Sequence, residues 1–149
     1  ITGTKGSRTV PVEQFPVLPS SDVHRETVLA PGEIVTEIVL PPVRGLRSSY
    51  RKVRARASWD FALAGIALAL RVSDGVVAEA RAVLSGAAPI PWRSREIEEA
   101  ITGRKLSAEV IAKAAEASMK NAQPLAGNAY KLPLFRGMIE EELAAIGTG

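Results

Sequence analysis

Apolar and polar positions along this chain follow two rhythms. Up to about Gly86 the apolar residues alternate or run on continuously; beyond it they recur every three or four residues. Residues 1–12 read as a short extended piece ending at Pro11, and residues 13–32 as loop, broken by Pro16, Pro19, Pro31 and Gly32. Glu33–Leu40 has the pattern of a strand, with Ile34, Ile38 and Leu40 on one face, Glu33 and Glu37 on the other, and Pro41-Pro42 as its stop. Ser48–Arg56 predicts a second strand, in which Tyr50, Lys52, Arg54 and Arg56 share a face opposite Val53 and Ala55. Phe61–Val72 is apolar on both faces, as in a strand covered on both sides. Its Ala and Leu content also suits a helix. The adjoining Ser73-Asp74-Gly75 decides for a hairpin, because Asp-Gly supplies the two positive φ angles of a type I′ turn. The return strand is Val76–Leu84, with Glu79 and Arg81 facing out beside Val77 and Val83.

The helical part has its own punctuation. Ser94 is placed to cap a short helix carrying Ile97 and Ile101, which Gly103 ends. Ser107 caps a second, with Val110, Ile111, Ala114, Ala115 and Met119 on its buried side. Pro133 is placed to start a third, striped by Phe135, Ile139, Leu143 and Ile146 and stopped by Gly147. Strands first and helices after predict an α+β domain, an antiparallel sheet with helices packed on one face.

Composition narrows the chemistry. None of the 149 residues is Cys and only His24 is a histidine, which excludes a disulfide framework, a cysteine nucleophile, iron–sulfur ligation by this chain and a His-based zinc site. The longest apolar run, Phe61–Leu70, is about half the length needed to span a bilayer. The opening Ile1-Thr2-Gly3 has neither a start methionine nor a signal pattern and reads as a cut end. Net charge is only +3, but Arg44, Arg47, Arg51, Lys52, Arg54 and Arg56 crowd into thirteen residues without an acid, and Glu140, Glu141 and Glu142 form the opposite pole. Such a stretch suits an anionic ligand or an acidic partner surface.

Three readings of the basic strand stay open on residues alone. Lys52 and Arg56, two pleats apart, suit a phosphate or the electron-rich end of a flavin. A solvated edge strand guarded by its charges is the plainer account. Nucleic-acid binding is the third, weakened by the lack of exposed aromatics between the charges. Asp60, between Trp59 and Phe61, needs a partner if buried, and a salt bridge or backbone bond to the basic strand is the plain expectation. No catalytic residue and no metal site stands out. The acidic triplet reads as a solvated run.

Several segments, in fixed order, resemble the C-terminal part of the FAD-binding medium subunit of molybdenum hydroxylases, the xanthine dehydrogenase, aldehyde oxidoreductase and CO dehydrogenase family. They are Arg8-Thr9-Val10-Pro11-Val12; Pro31-Gly32-Glu33-Ile34-Val35-Thr36 with Leu40-Pro41; Ser49-Tyr50-Arg51-Lys52-Val53-Arg54-Ala55-Arg56-Ala57-Ser58; Pro91-Trp92-Arg93-Ser94-Arg95 with Glu98 and Gly103; and Gly127-Asn128-Ala129-Tyr130-Lys131. Pro89-Ile90 and the acidic 140–142 depart from the family's pattern.

The resemblance implies the fold of the CO dehydrogenase flavoprotein C-terminal domain over residues 21–149, after the end of a preceding FAD-binding lobe and linker over residues 1–20. It implies FAD as cofactor of the whole subunit, with Lys52 beside the isoalloxazine, Val35 packing near it, and Arg56 and Asp60 as a charged pair on the adjoining loop. The molybdenum cofactor and two [2Fe–2S] clusters would sit in partner subunits, an iron–sulfur subunit and a molybdenum subunit, and neither nucleic acid nor membrane would be a partner. Aldehydes or N-heterocycles are the implied substrates of such an oxidoreductase, in cytoplasm or periplasm. The 149 residues contain none of the glycine-rich loops that hold the FAD pyrophosphate in that family, so alone they are expected to be inactive. A protein-interaction module without flavin is the alternative.

Overall fold

In a computed structural model, which describes residues 1–147, the chain forms two compact units, Ile1–Val43 and a second from Arg44 onward. The first holds a small antiparallel pair, β1 (Thr2–Gly3) and β2 (Gly6–Ser7), and a 3-10 turn at Val12–Gln14. A fork between Arg8 and Glu33 organises it. The guanidinium donates to the carboxylate at 3.1 and 2.8 Å and to the Val28 carbonyl at 3.0 Å, while the same carboxylate accepts the Ala30 N–H at 2.8 Å.

Glu33 therefore does not face solvent as the alternation predicts. Nor does Glu33–Leu40 form a strand: only Ile34 pairs, exchanging both backbone bonds with Thr2 at 2.9 and 3.0 Å. The β-branched pattern is present, but no second strand lies alongside to take up the ladder bonds.

The second unit is an antiparallel sheet of four strands, β3 (Leu46–Val53), β4 (Ala64–Ser73), β5 (Val76–Ser85) and β6 (Trp92–Arg93), in that spatial order. The hairpin joining β4 and β5 turns where expected, with Asp74 at φ 53° and Gly75 at φ 76°. Three helices, α1 (Arg95–Ile101), α2 (Ala108–Met119) and α3 (Lys131–Gly147), cover one face only. Ile66, Leu68 and Leu70 of β4 and Ala80, Ala82 and Leu84 of β5 share a core with Ile97, Ile101, Ile111, Phe135, Met138, Ile139 and Leu143. The α+β architecture with helices on one face is as the sequence predicts. Among the described residues, no helix is long and apolar enough to cross a membrane.

Details differ for physical reasons. β4 is fully covered on one side only; its outward positions Ala67 and Ala69 are half-buried and carry little side chain, so their apolar character does not signal full burial. In β5, Ala78 is an extra residue opposite the Arg71–Val72 step. This bulge reverses the alternation, so Val77 is buried although Glu79, Arg81 and Val83 face outward. The free side of β5 is closed in steps: Val77 exchanges backbone bonds with Gly103 and Arg104, Ala82 accepts the Ser94 N–H at 2.9 Å, and β6 pairs with Val83 and Leu84.

The Ser107 hydroxyl caps α2 by accepting the Val110 N–H, whereas the Ser94 hydroxyl donates to Glu96 and makes no cap bond to the backbone. α3 starts at Lys131, so Pro133 lies inside its first turn, and a stop at Gly147 abuts residues outside the described ones. The basic and acidic poles meet where Arg51 reaches Glu141 of α3 at 2.6 Å.

Candidate functional site

β3 ends at Val53, earlier than the alternation predicts, because one carboxylate organises the adjoining loop. Asp60 Oδ2 accepts the backbone N–H groups of Ala55 at 3.1 Å and Arg56 at 3.3 Å. These bonds bend the chain out of the strand, and Leu63 rejoins the ladder by donating to the Val53 carbonyl at 2.9 Å. The plain expectation for Asp60 is met by backbone bonds. No ion pair joins it to Arg56 among the described residues.

Lys52 and Arg56 do not share a strand face, since Arg56 lies in the loop. The loop nevertheless brings their cationic heads to neighbouring carbonyls: Lys52 Nζ donates to the Asp60 oxygen at 2.7 Å and Arg56 to the Trp59 oxygen at 2.6 Å. Trp59 is held at φ 52°, a backbone region that side chains larger than glycine seldom adopt. The result is a tied loop with two cations on one peptide segment and two bare rings, Trp59 and Phe61, each 92% exposed. Tyr50 of β3 is also exposed. The sequence argument against nucleic acid, that exposed aromatics are lacking, thus does not hold for this surface. Val35 belongs to the first unit, where its side chain is half-exposed.

The arrangement has a defined chemistry. Two cations, anchored through backbone bonds rather than neutralised by carboxylates, offer charge to an anion. The adjacent rings offer planar apolar surface. A planar group that gathers negative charge at one end fits this donor set, and nothing in the loop is placed as a nucleophile or proton-transfer base. Among the described residues no cluster of His, Cys, Asp or Glu forms a metal site.

Two further sequence segments converge elsewhere on the second unit. Trp92 and the stretch containing Asn128 and Lys131 line one cleft of about 210 Å³, with Leu84 and Phe135 as its apolar wall. Lys131 Nζ donates to the Gly86 carbonyl at 2.9 Å and so ties the start of α3 to the end of the hairpin. Next to Trp92 in the chain, Arg93 forks onto the buried Glu98 at 2.8 and 3.0 Å. Glu98 also accepts the Ala82 N–H at 3.1 Å, supplying an acceptor for β5 where β6 does not reach. Burial alone would raise the pKa of Glu98, but the Arg93 and Ala82 bonds outweigh it and hold the carboxyl below its ordinary value. The motif signal at Arg93 and Glu98 is therefore structural, a role the pattern of residues did not reveal.

Comparison with known proteins places this geometry. Residues 48–145 match the model of the CO dehydrogenase flavoprotein C-terminal domain. The chain is 36% identical over 144 residues to the aldehyde oxidoreductase FAD-binding subunit PaoB of Escherichia coli, covering 97% of this chain and 42% of that protein. It is 30% identical over 112 residues to the glyceraldehyde dehydrogenase medium chain of Sulfolobus acidocaldarius, covering 74% of this chain and 37% of that one. Its fold superimposes on a carbon monoxide dehydrogenase from Hydrogenophaga pseudoflava with a TM-score of 0.80 at 28% identity, over 93% of this chain and 48% of that chain. The chain thus spans half or less of the length of these relatives.

Proposed function

This chain belongs to the CO dehydrogenase flavoprotein C-terminal domain family, and from that membership we propose that it is the C-terminal part of the FAD-binding medium subunit of a molybdenum hydroxylase acting on aldehydes or N-heterocycles. The observation that carries this reading is the likeness to FAD-binding and medium subunits along 97% of the chain, which includes the loop bearing Lys52, Arg56 and Asp60. In this reading FAD passes electrons from the [2Fe–2S] clusters of an iron–sulfur partner, fed by a molybdenum-cofactor partner, to an external acceptor. The partners are the two other subunits of the complex. Neither a flavin-free interaction module nor nucleic-acid binding finds support among the relatives.

The residues present fit a flavin. Among the described residues no acid pairs with the positive charges of Lys52 and Arg56, and Asp60 spends its carboxylate on the backbone that positions them. The task of this flank is electrostatic: a fixed cation beside a group that becomes more negative on reduction favours the reduced form.

The test is Lys52→Met in the full subunit and its complex. Methionine keeps the stem and its packing and removes the charge. A unit charge near a developing anion is worth on the order of 1–4 kcal/mol, or roughly 20–90 mV for a two-electron couple. The flavin potential should fall by that amount in a redox titration, with FAD occupancy and the molybdenum half-reaction intact. An unchanged potential at full occupancy would return Lys52 to the role of a solvated edge charge.

A further inference from the structure

Resting on the function proposed above, we infer that Gly86 and Lys131 are positioning residues for the flavin flank: they fix, from the β5 side of the loop, where the Lys52 and Arg56 charges stand. Neither residue belongs to the loop, and neither bonds to Lys52 or Arg56.

The loop has two limbs, residues 54–58 leading out of β3 and residues 59–63 leading back to β4. The carbonyls that hold Arg56 and Lys52, those of Trp59 and Asp60, both belong to the returning limb. The Asp60 carboxylate ties that limb to the outgoing one through the Ala55 and Arg56 N–H groups. The place of the returning limb therefore decides the place of both cations. On the β3 side it is held by the Leu63 N–H, which donates to the Val53 carbonyl at 2.9 Å.

On the other side the returning limb meets the end of β5. Gly86 stands at φ 74° with backbone against its Cα: a Cβ there would lie 3.0 Å from the Ala62 carbonyl oxygen and 3.2 Å from that of Leu63. Only glycine combines that φ with so close an approach at little cost. The adjoining row repeats the closeness. Lys52, Gly65 and Ser85 lie opposite one another across three strands, and a Cβ on Gly65 would run into the Ser85 hydroxyl. Gly86 is in turn held by Lys131, the first residue of α3, which donates to its carbonyl at 2.9 Å. Phe135, Met138 and Ile139 root that helix in the core. Contacts thus run without a gap from α3 through Gly86 and the returning limb to the two cations, and close-packed groups pass a displacement on.

Gly86→Ala tests this, because it alters no charge and can reach a flavin only through position. In the whole subunit and its complex, the new methyl should push the returning limb aside and loosen the anchor of Lys52. The flavin potential should then fall, by less than in Lys52→Met, with FAD retained. Amides of Ala55, Arg56 and Leu63 should exchange at least about tenfold faster, with Ile66–Leu70 unchanged. Added to Lys52→Met, Gly86→Ala should lower the potential by less than about half of what it does alone, since coupled residues are not additive. Lys131→Met places no new atom against the loop and serves where the alanine variant does not fold. Its direct charge effect persists without Lys52, so its shift should be larger in the parent than in Lys52→Met, whereas Lys131→Arg, which can still donate to Gly86, should keep the parent potential. An unchanged potential in Gly86→Ala, beside a lowered one in Lys52→Met, would overturn the inference. So would equal shifts with and without Lys52, which would leave Gly86 a role in stability alone. If Lys52→Met itself leaves the potential unchanged, the functional reading fails, and amide exchange at Ala55, Arg56 and Leu63 decides the positioning by itself: acceleration upholds it and parent rates overturn it.

Discussion

Removing the Glu98 carboxylate should markedly destabilise the second unit. Glu98 is 7% exposed and accepts three hydrogen bonds, two from Arg93 and one from the Ala82 N–H. Glu98→Ala leaves that N–H, on a residue with no solvent exposure, without its acceptor, at about 1–3 kcal/mol. It also takes the carboxylate away from a guanidinium whose side chain is only 21% exposed. The orphaned N–H and the lost charged hydrogen bonds together should cost about 2–4 kcal/mol. Glu98→Gln keeps the shape and one acceptor oxygen and should cost about 1–2 kcal/mol. Urea unfolding followed by far-UV circular dichroism should rank parent, Gln and Ala in that order, and Ala should lower Tm by more than about 10 °C.

The pH dependence of the same variants has a fixed sign. The folded pKa is depressed, so the charge of Glu98 stabilises above its unfolded value of about 4.3 and that contribution fades as pH falls through the lower folded value. The gap between parent and Glu98→Gln should be flat near neutrality and narrow in acid below about pH 4. An Ala variant within about 1 kcal/mol of the parent would refute the view that this carboxylate completes β5.

Two further outcomes can be checked. A Cβ on Gly65 would fall well inside 3.0 Å of the Ser85 hydroxyl, so Gly65→Ala should cost about 1–3 kcal/mol and Ser85→Ala should recover most of it; additive effects in urea unfolding would show that the two strands can part freely there. Glu33, bonded by Arg8 and the Ala30 N–H, has a pKa lowered to about 2. Its carboxyl NMR titration should have its midpoint there, with the Arg8 pairing present above the unfolded pKa and lost as pH falls through about 2, and Arg8→Gln should move the midpoint back toward about 4.3; an ordinary midpoint in the parent would mean that the fork is open in solution.

The parts of the fold visible in the sequence are those set by local chemistry. Asp74-Gly75 carries its own turn geometry, Ser107 its own cap, and the 3.6-residue stripe of Phe135, Ile139 and Leu143 its own buried face. The parts that were not visible depend on distant residues. The end of β3 is decided by Asp60, seven residues on, and the inversion at Val77 by one surplus residue, Ala78. The less covered side of β4 is invisible because Ala67 and Ala69 score as apolar whether covered or not. Of the site, Lys52, Arg56 and Asp60 were legible as residues, and the loop does gather them. Their common hold on the Trp59–Asp60 segment was not, since two of its bonds end on backbone carbonyls, which carry no residue signature.

The stepwise closure along the free side of β5 gives this sheet a direction of growth. With Val77, Ala82, Val83 and Leu84 already engaged, that margin offers few places for another strand to dock. The opposite margin is β3 itself, the outermost strand in the spatial order, which carries the charges of Arg47, Arg51 and Lys52. A polypeptide that lengthened the sheet at the β3 margin would lie beside the strand that carries Lys52. A strand added at that margin would therefore lie within reach of the loop to which the Lys52 ammonium is tied.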